Sequence, residues 1–149
     1  PAANLLYVAN YLDDTVTYLD AATGDYMNGT LANSSFQVGD SPRDVAVDPA
    51  ANLIYVANRY DETVTYLDAT TGAPVNGTLA NSSFPVGDNP SDVAVNPAAN
   101  LLYVTNQWNG TVTYLDATTG DRSGLGEICY PTFQTGNLPS AIAVVPPID

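Results

Sequence analysis

Two short runs rich in Leu, Val, Tyr and Thr, Leu5 to Ala9 and Thr15 to Leu19, flank a polar turn at Asp13-Asp14. Runs of this length, dominated by β-branched and aromatic residues, predict strands. The same pattern returns at Asn52 to Gly72 and at Asn100 to Gly120, a spacing of 48 residues both times. Residues 1–48 and 49–96 differ at 12 positions, so 36 of 48 are identical. The third copy keeps register to Gly120, then diverges and carries one extra residue before its last apolar run.

Each unit holds two weaker strand candidates. One is SSFQV at 34–38 and SSFPV at 82–86, where Pro85 argues for an edge position. The other is DVAV at 44–47 and 92–95, which corresponds to AIAV at 141–144. No 3.6-residue period runs through the chain, so helical repeats are not expected. Four short strands in a unit of roughly 40–50 residues is the proportion of a propeller blade. Blades crowd at the central axis and splay at the rim, so the innermost strand should carry small side chains. That assigns DVAV and AIAV to the inside, LLYVA second, TVTYLD third and SSFxV outermost. Val45, Val47, Val93, Val95, Ile142 and Val144 then lie on or beside the innermost strands. The expected fold is all-β, essentially without helix: three four-stranded antiparallel blades in one propeller segment. Its repeats are 1–48, 49–96 and 97–145, with a short tail at 146–149.

Charge narrows the functions. Sixteen acidic side chains stand against Arg43, Arg59 and Arg122, giving a formal net charge of −13. A nucleic-acid ligand needs a basic footprint, which is missing. An anionic membrane surface is disfavoured for the same reason, and no run approaches the ~20 apolar residues of a membrane span. Histidine is absent, which removes Ser-His-Asp and Cys-His arrangements and His-ligated zinc. Cys129, the one cysteine, sits in GEICYP and reads as a small buried hydrophobe.

The acidic pairs Asp13-Asp14 and Asp61-Glu62 are neighbours at a hairpin tip, and the third copy has Asn109-Gly110 there. Acid–base catalysis needs carboxylates converging from different segments, so these read as turn residues. No catalytic residue and no cofactor is expected. Calcium is the metal that the Asp and Asn oxygens would suit, but no EF-hand or RTX spacing occurs. Asn10, Asn58 and Asn106 end the second strand of each unit; they either satisfy turn backbone or ring one mouth of a channel.

Five N-x-S/T sequons mark candidate glycosylation sites at Asn28, Asn33, Asn76, Asn81 and Asn109, four of them in the NGTLANSSF insert. Trp108 replaces Leu12 and Tyr60 at the hairpin tip, which makes it a candidate contact residue with Tyr11 and Tyr60. Tyr7 and Tyr18, with their repeats, are expected to pack between blades.

Residues 103–106 read YVTN, and 7–10 and 55–58 read YVAN, within the frame PxDVAVxPAxNLxYVxN…TVTYLDxxTG. This frame resembles the YVTN-repeat β-propellers of microbial surface-layer and other cell-surface proteins. The resemblance covers nearly the whole chain and implies the propeller fold and an extracellular or cell-surface location. The unit is longer than the usual blade of that family. The implied role is a non-enzymatic structural or macromolecule-binding scaffold, with glycans or other surface proteins as partners. The alternatives are an engineered or excised propeller fragment that self-assembles, a filament-forming surface protein, and a lactonase-like propeller enzyme.

Three blades are too few to close a ring, which takes ~4–8. The chain opens on a second strand and finishes on an innermost one. The expected partner is therefore the chain itself, head to tail. Leu5, Tyr7, Ala141, Ile142 and Val144 are the expected joint residues of a six-bladed homodimer. If the joint does not close, it propagates a filament.

Overall fold

A computed structural model describes residues 4–121 and 132–145. Within them the strands are β1 (Leu5–Asn10), β2 (Thr15–Asp20), β3 (Ser35–Gln37), β4 (Pro42–Asp48), β5 (Leu53–Asn58) and β6 (Thr63–Asp68). They continue with β7 (Ser83–Pro85), β8 (Pro90–Asn96), β9 (Leu101–Asn106), β10 (Thr111–Asp116) and β11 (Thr132–Gln134). They form three antiparallel sheets in the orders β1-β2-β3, β4-β5-β6-β7 and β8-β9-β10-β11. Each 48-residue unit thus supplies three strands of one sheet and the first strand of the next. Among strands of different sheets, β4 and β8 make the most extensive contact. The sheets therefore converge on the small DVAV side chains and splay at the SSF strands, the order that crowding predicts.

Two expectations are corrected. The first sheet has three strands, because no described residue lies in the innermost place beside β1. AIAV at 141–144 belongs to no ladder, since a strand needs a neighbour and its second-strand partner is absent from these sheets. As expected, helix among the described residues is confined to two single 3-10 turns, Ala80–Ser82 and Pro97–Ala99. The outermost strands are only three residues long, because the NGTLANSSF insert folds on its own turns. Cys129, Arg122 and the tail 146–149 lie outside the described residues.

The tips explain their composition. Asp14, Glu62 and Gly110 occupy one equivalent position with φ of 54°, 55° and 64°. Left-handed backbone there favours Asn, Asp or Gly. At the other end, Asp20, Asp68 and Asp116 each cap their own turn. The Asp68 Oδ1 accepts the N–H groups of Thr70 at 3.0 Å and Thr71 at 2.7 Å. Burial pushes the Asp68 carboxyl up, but the bonds from Thr71, Thr70 and Asn52 outweigh it and hold it below its ordinary value.

Two seams carry the core. Val16 and Tyr18 of the first sheet meet Ile54, Val56 and Leu67 of the second. Tyr55 and Tyr66 of the second meet Leu102, Val104 and Leu115 of the third. Edge-on tyrosine pairs brace both sheets, Tyr7 with Tyr18 at 4.6 Å and Tyr55 with Tyr66 at 4.8 Å. Their hydroxyls cross the seams as donors. Tyr7 reaches the Ala69 carbonyl at 2.8 Å and Tyr18 the Asp68 carbonyl at 3.1 Å. Tyr55 repeats the first bond at Ala117 and Tyr66 the second at Asp116, both at 2.9 Å. Burial raises the phenols of Tyr18, Tyr55 and Tyr66 far above their ordinary range, so they remain donors.

Candidate functional site

The hairpin tips β1–β2, β5–β6 and β9–β10 present Leu12, Tyr60 and Trp108, which are 88%, 57% and 65% exposed. Tyr11 and Tyr60 come together, ring centroids 6.3 Å apart. The Arg59 guanidinium lies 5.6 Å from the Tyr60 centroid, and its Nε donates to Asn89 Oδ1 at 3.0 Å. Hydrogen bonding to Tyr60, with the Arg59 charge beside it, lowers the Tyr11 phenol. Among the described residues no aromatic contact joins Trp108 to that pair; it lines a shallow cleft with Asn137 and Leu138.

The polar tip residues staple neighbouring blades. Asp61 Oδ2 accepts the Asp40 N–H at 2.8 Å, Asp14 Oδ1 accepts the Ser41 N–H at 2.8 Å, and Asn109 Oδ1 accepts the Asp88 N–H. Asn58 and Asn106 are fully buried. The Asn106 amide donates to the Thr111 and Thr113 hydroxyls at 2.9 and 2.8 Å, and its oxygen accepts the Gly87 N–H at 3.0 Å. Asn10 bonds Thr15 and Thr17 in the same way. A Cβ on Gly39 or Gly87 would stand 2.7 Å from Asn58 or Asn106, which accounts for those glycines. The Asn58 amide donates to the Thr63 and Thr65 hydroxyls while its buried oxygen has no partner among the described residues, and the three amides do not point as a ring into solvent.

Asn28, Asn33, Asn76 and Asn81 are all exposed at the rim. The Asn28 amide donates to the Asn33 carbonyl at 2.8 Å, and Asn76 does the same to Asn81. Asn33 and Asn81 make no side-chain bond of this kind among the described residues, which leaves their amides to solvent.

The inner strands carry a pair that sequence reasoning missed. Asp44 Oδ2 accepts the Val93 N–H at 2.8 Å, and Asp92 Oδ2 accepts the Ile142 N–H at 2.5 Å. Each aspartate pins the inner strand of the following blade. Burial, then the hydrogen bond to Asp44, pushes the Asp92 carboxyl up to about 6. The signal was Ala141 replacing aspartate in the third copy.

The two end faces are apolar. Leu6 and Val8 on the outer face of β1 are 46% and 38% exposed, and Phe133 on the outer face of β11 is 54% exposed. Leu5 and Tyr7 point the other way, toward Ala69 of the second sheet. Of the expected joint residues, the β1 pair therefore lies on the wrong face, because side chains alternate along a strand. Ile142 and Val144 do border the other end, in a cleft with Tyr103, Val112 and Phe133.

No family model matches the sequence, and no curated protein matches it. Solved structures do resemble the fold. Hydrazine synthase of Kuenenia stuttgartiensis is 21% identical with a TM-score of 0.71, over 95% of this chain and 36% of that one. Apo AztD from Citrobacter koseri is 21% identical with a TM-score of 0.64, over 94% and 35%. U3-55K is 11% identical with a TM-score of 0.69, over 93% and 38%. The chain spans little more than a third of each of these. At such identities the likeness shows the fold alone, a β-propeller.

Proposed function

We propose that the chain is a non-enzymatic module of an extracellular or cell-surface YVTN-repeat propeller, serving as a structural or macromolecule-binding scaffold. The observation that carries this reading is the use of the repeated polar side chains. The second-strand Asn, the tip Asp or Asn and the turn Asp are all engaged in backbone or threonine bonds of the fold. Asp44 and Asp92, the two carboxylates that do converge from separate segments, are engaged in the same way, each accepting a backbone N–H of the next inner strand. The exposed tip varies from copy to copy as Leu12, Tyr60 and Trp108. The Tyr11–Tyr60 pair beside Arg59 offers aromatic faces and one cation to a glycan or another surface protein. The rim sequons stand where a glycan disturbs no packing, which supports an extracellular setting.

Protease shaving of intact source cells tests this. Mass spectrometry of the released peptides should recover this chain, with Asn33 and Asn81 carrying glycan. Recovery only after lysis, with unmodified asparagines, contradicts the reading.

A further inference from the structure

We propose that residues 139–145 form the innermost strand of a blade in a second copy of the chain, beside its β1. Two copies joined at both ends then make a ring of six blades. The joint rests on the scaffold reading for its use, but its geometry stands on the two seams inside the chain.

Both seams share two contacts, and the second seam adds a third. A phenylalanine of one sheet covers a glycine of the next: Phe36 on Gly72 and Phe84 on Gly120. Two tyrosine hydroxyls cross to the carbonyls just after the third strand of the next sheet and at its end. An aspartate pins the next inner strand. The end faces hold the separate halves of these contacts. Gly24, equivalent to Gly72 and Gly120, has nothing within 4 Å. The Ala21 and Asp20 carbonyls receive no tyrosine hydroxyl among the described residues. At the opposite end stand Phe133, Tyr103 and Tyr114, equivalent to Phe84, Tyr55 and Tyr66. Phe133 lies stacked on Tyr114 at 5.0 Å and 17°, whereas Phe36 and Phe84 tilt from their tyrosines by 57° and 61°. Without a glycine to cover, the ring folds onto its own sheet.

The third contact is already made. Asp92 holds the Ile142 N–H as Asp44 holds that of Val93, and the Ser91 hydroxyl donates to the Pro139 carbonyl at 3.0 Å. Residues 139–145 thus occupy the inner-strand place of a following blade while pairing with no strand. The β4–β5 ladder sets the register, with Val45 opposite Val56 and Val47 opposite Ile54. Carried over, Ile142 faces Val8 and Val144 faces Leu6 of the second copy. Leu6 and Val8 are the apolar side chains that β1 leaves exposed.

The occupant is a second copy because this chain carries both halves of every contact, in the residues and spacing its own seams use. Four strands at ~4.8 Å and five residues at ~3.3 Å give each face roughly 300 Å². One joint buries about 600 Å² and two bury about 1,200 Å², the lower bound of a stable specific interface. Two joints require a closed pair.

Light scattering on the chain and two variants tests the joint. The head variant is Leu6→Lys with Val8→Lys; the tail variant is Phe133→Asp with Ile142→Asp. These side chains are exposed or half-exposed in the single chain, and circular dichroism confirms that each variant folds. Wild type should run at twice the 15.6 kDa chain mass, each variant at the chain mass, and a concentrated mixture of the two as a 1:1 pair through one intact joint. Leu12→Ser, a control at an exposed tip, should stay paired. A folded wild-type monomer, or a head variant that still pairs with itself, overturns the joint. Growth beyond two copies overturns the closed ring. None of these outcomes bears on cell-surface location, which the shaving experiment decides separately.

Discussion

Phe36 covers Gly72 so closely that a Cβ on that glycine would stand 2.3 Å from the ring, and Phe84 covers Gly120 at 2.4 Å. Both glycines also hold positive φ, 71° and 72°. A side chain at either meets a strained backbone and an occupied space together. Blade stacking in this protein thus depends on an aromatic of one repeat and a missing side chain in the next.

Gly72→Ala should therefore cost more than Gly24→Ala. The left-handed backbone costs ~1–3 kcal/mol in both, and overpacking against the Phe36 ring adds ~1–3 kcal/mol at Gly72 alone. Urea unfolding of the two variants, compared under conditions where the chain is monomeric, checks the difference.

Asn106→Ala should destabilise more than Asn10→Ala. Asn106 is fully buried and makes three bonds, so its loss strands two threonine hydroxyls and the Gly87 N–H. Each stranded group costs ~1–3 kcal/mol if water cannot reach it. Asn10 is half-buried and makes two such bonds. Thermal melts of both variants give the order.

Mildly acid pH should be the point of greatest stability. Asp92 has its folded pKa raised to about 6, so the folded chain binds its proton more tightly than the unfolded one. Stability falls as pH rises from about 4 through about 6, the window between the unfolded and folded values. Asp20, Asp68 and Asp116 have lowered values, so their contribution is lost as pH falls below the ordinary aspartate value. Relief of the −13 net charge acts in the same direction as Asp92, and Asp92→Asn separates the two. The variant should show a shallower fall in Tm between these pH values; an unchanged slope contradicts the assignment.

The strand order was legible because the units repeat and small side chains mark the axis. The seam tyrosines were legible because they recur between apolar neighbours. The face of β1 was not. LLYVA is apolar throughout, so no alternation says which side chains point outward, and Leu5 and Tyr7 were expected where Leu6 and Val8 stand. The aspartate pins were also hidden, because each acts on a strand about 50 residues away. Even the tip conformation showed plainly only at Gly110; Asp14 and Glu62 adopt the same left-handed backbone under ordinary side chains.

Hydrogen exchange at the open edge of β1 and along residues 140–145 tests the account most directly. Amides of residues 140–145, and those of residues 5–10 that are not already bonded to β2, should exchange as slowly as those of β4 and β5 in wild type at high concentration. They should become fast in the Phe133→Asp, Ile142→Asp variant, while β5 and β6 stay protected. Fast exchange at 140–145 in a folded, concentrated wild-type sample would contradict the joint between copies.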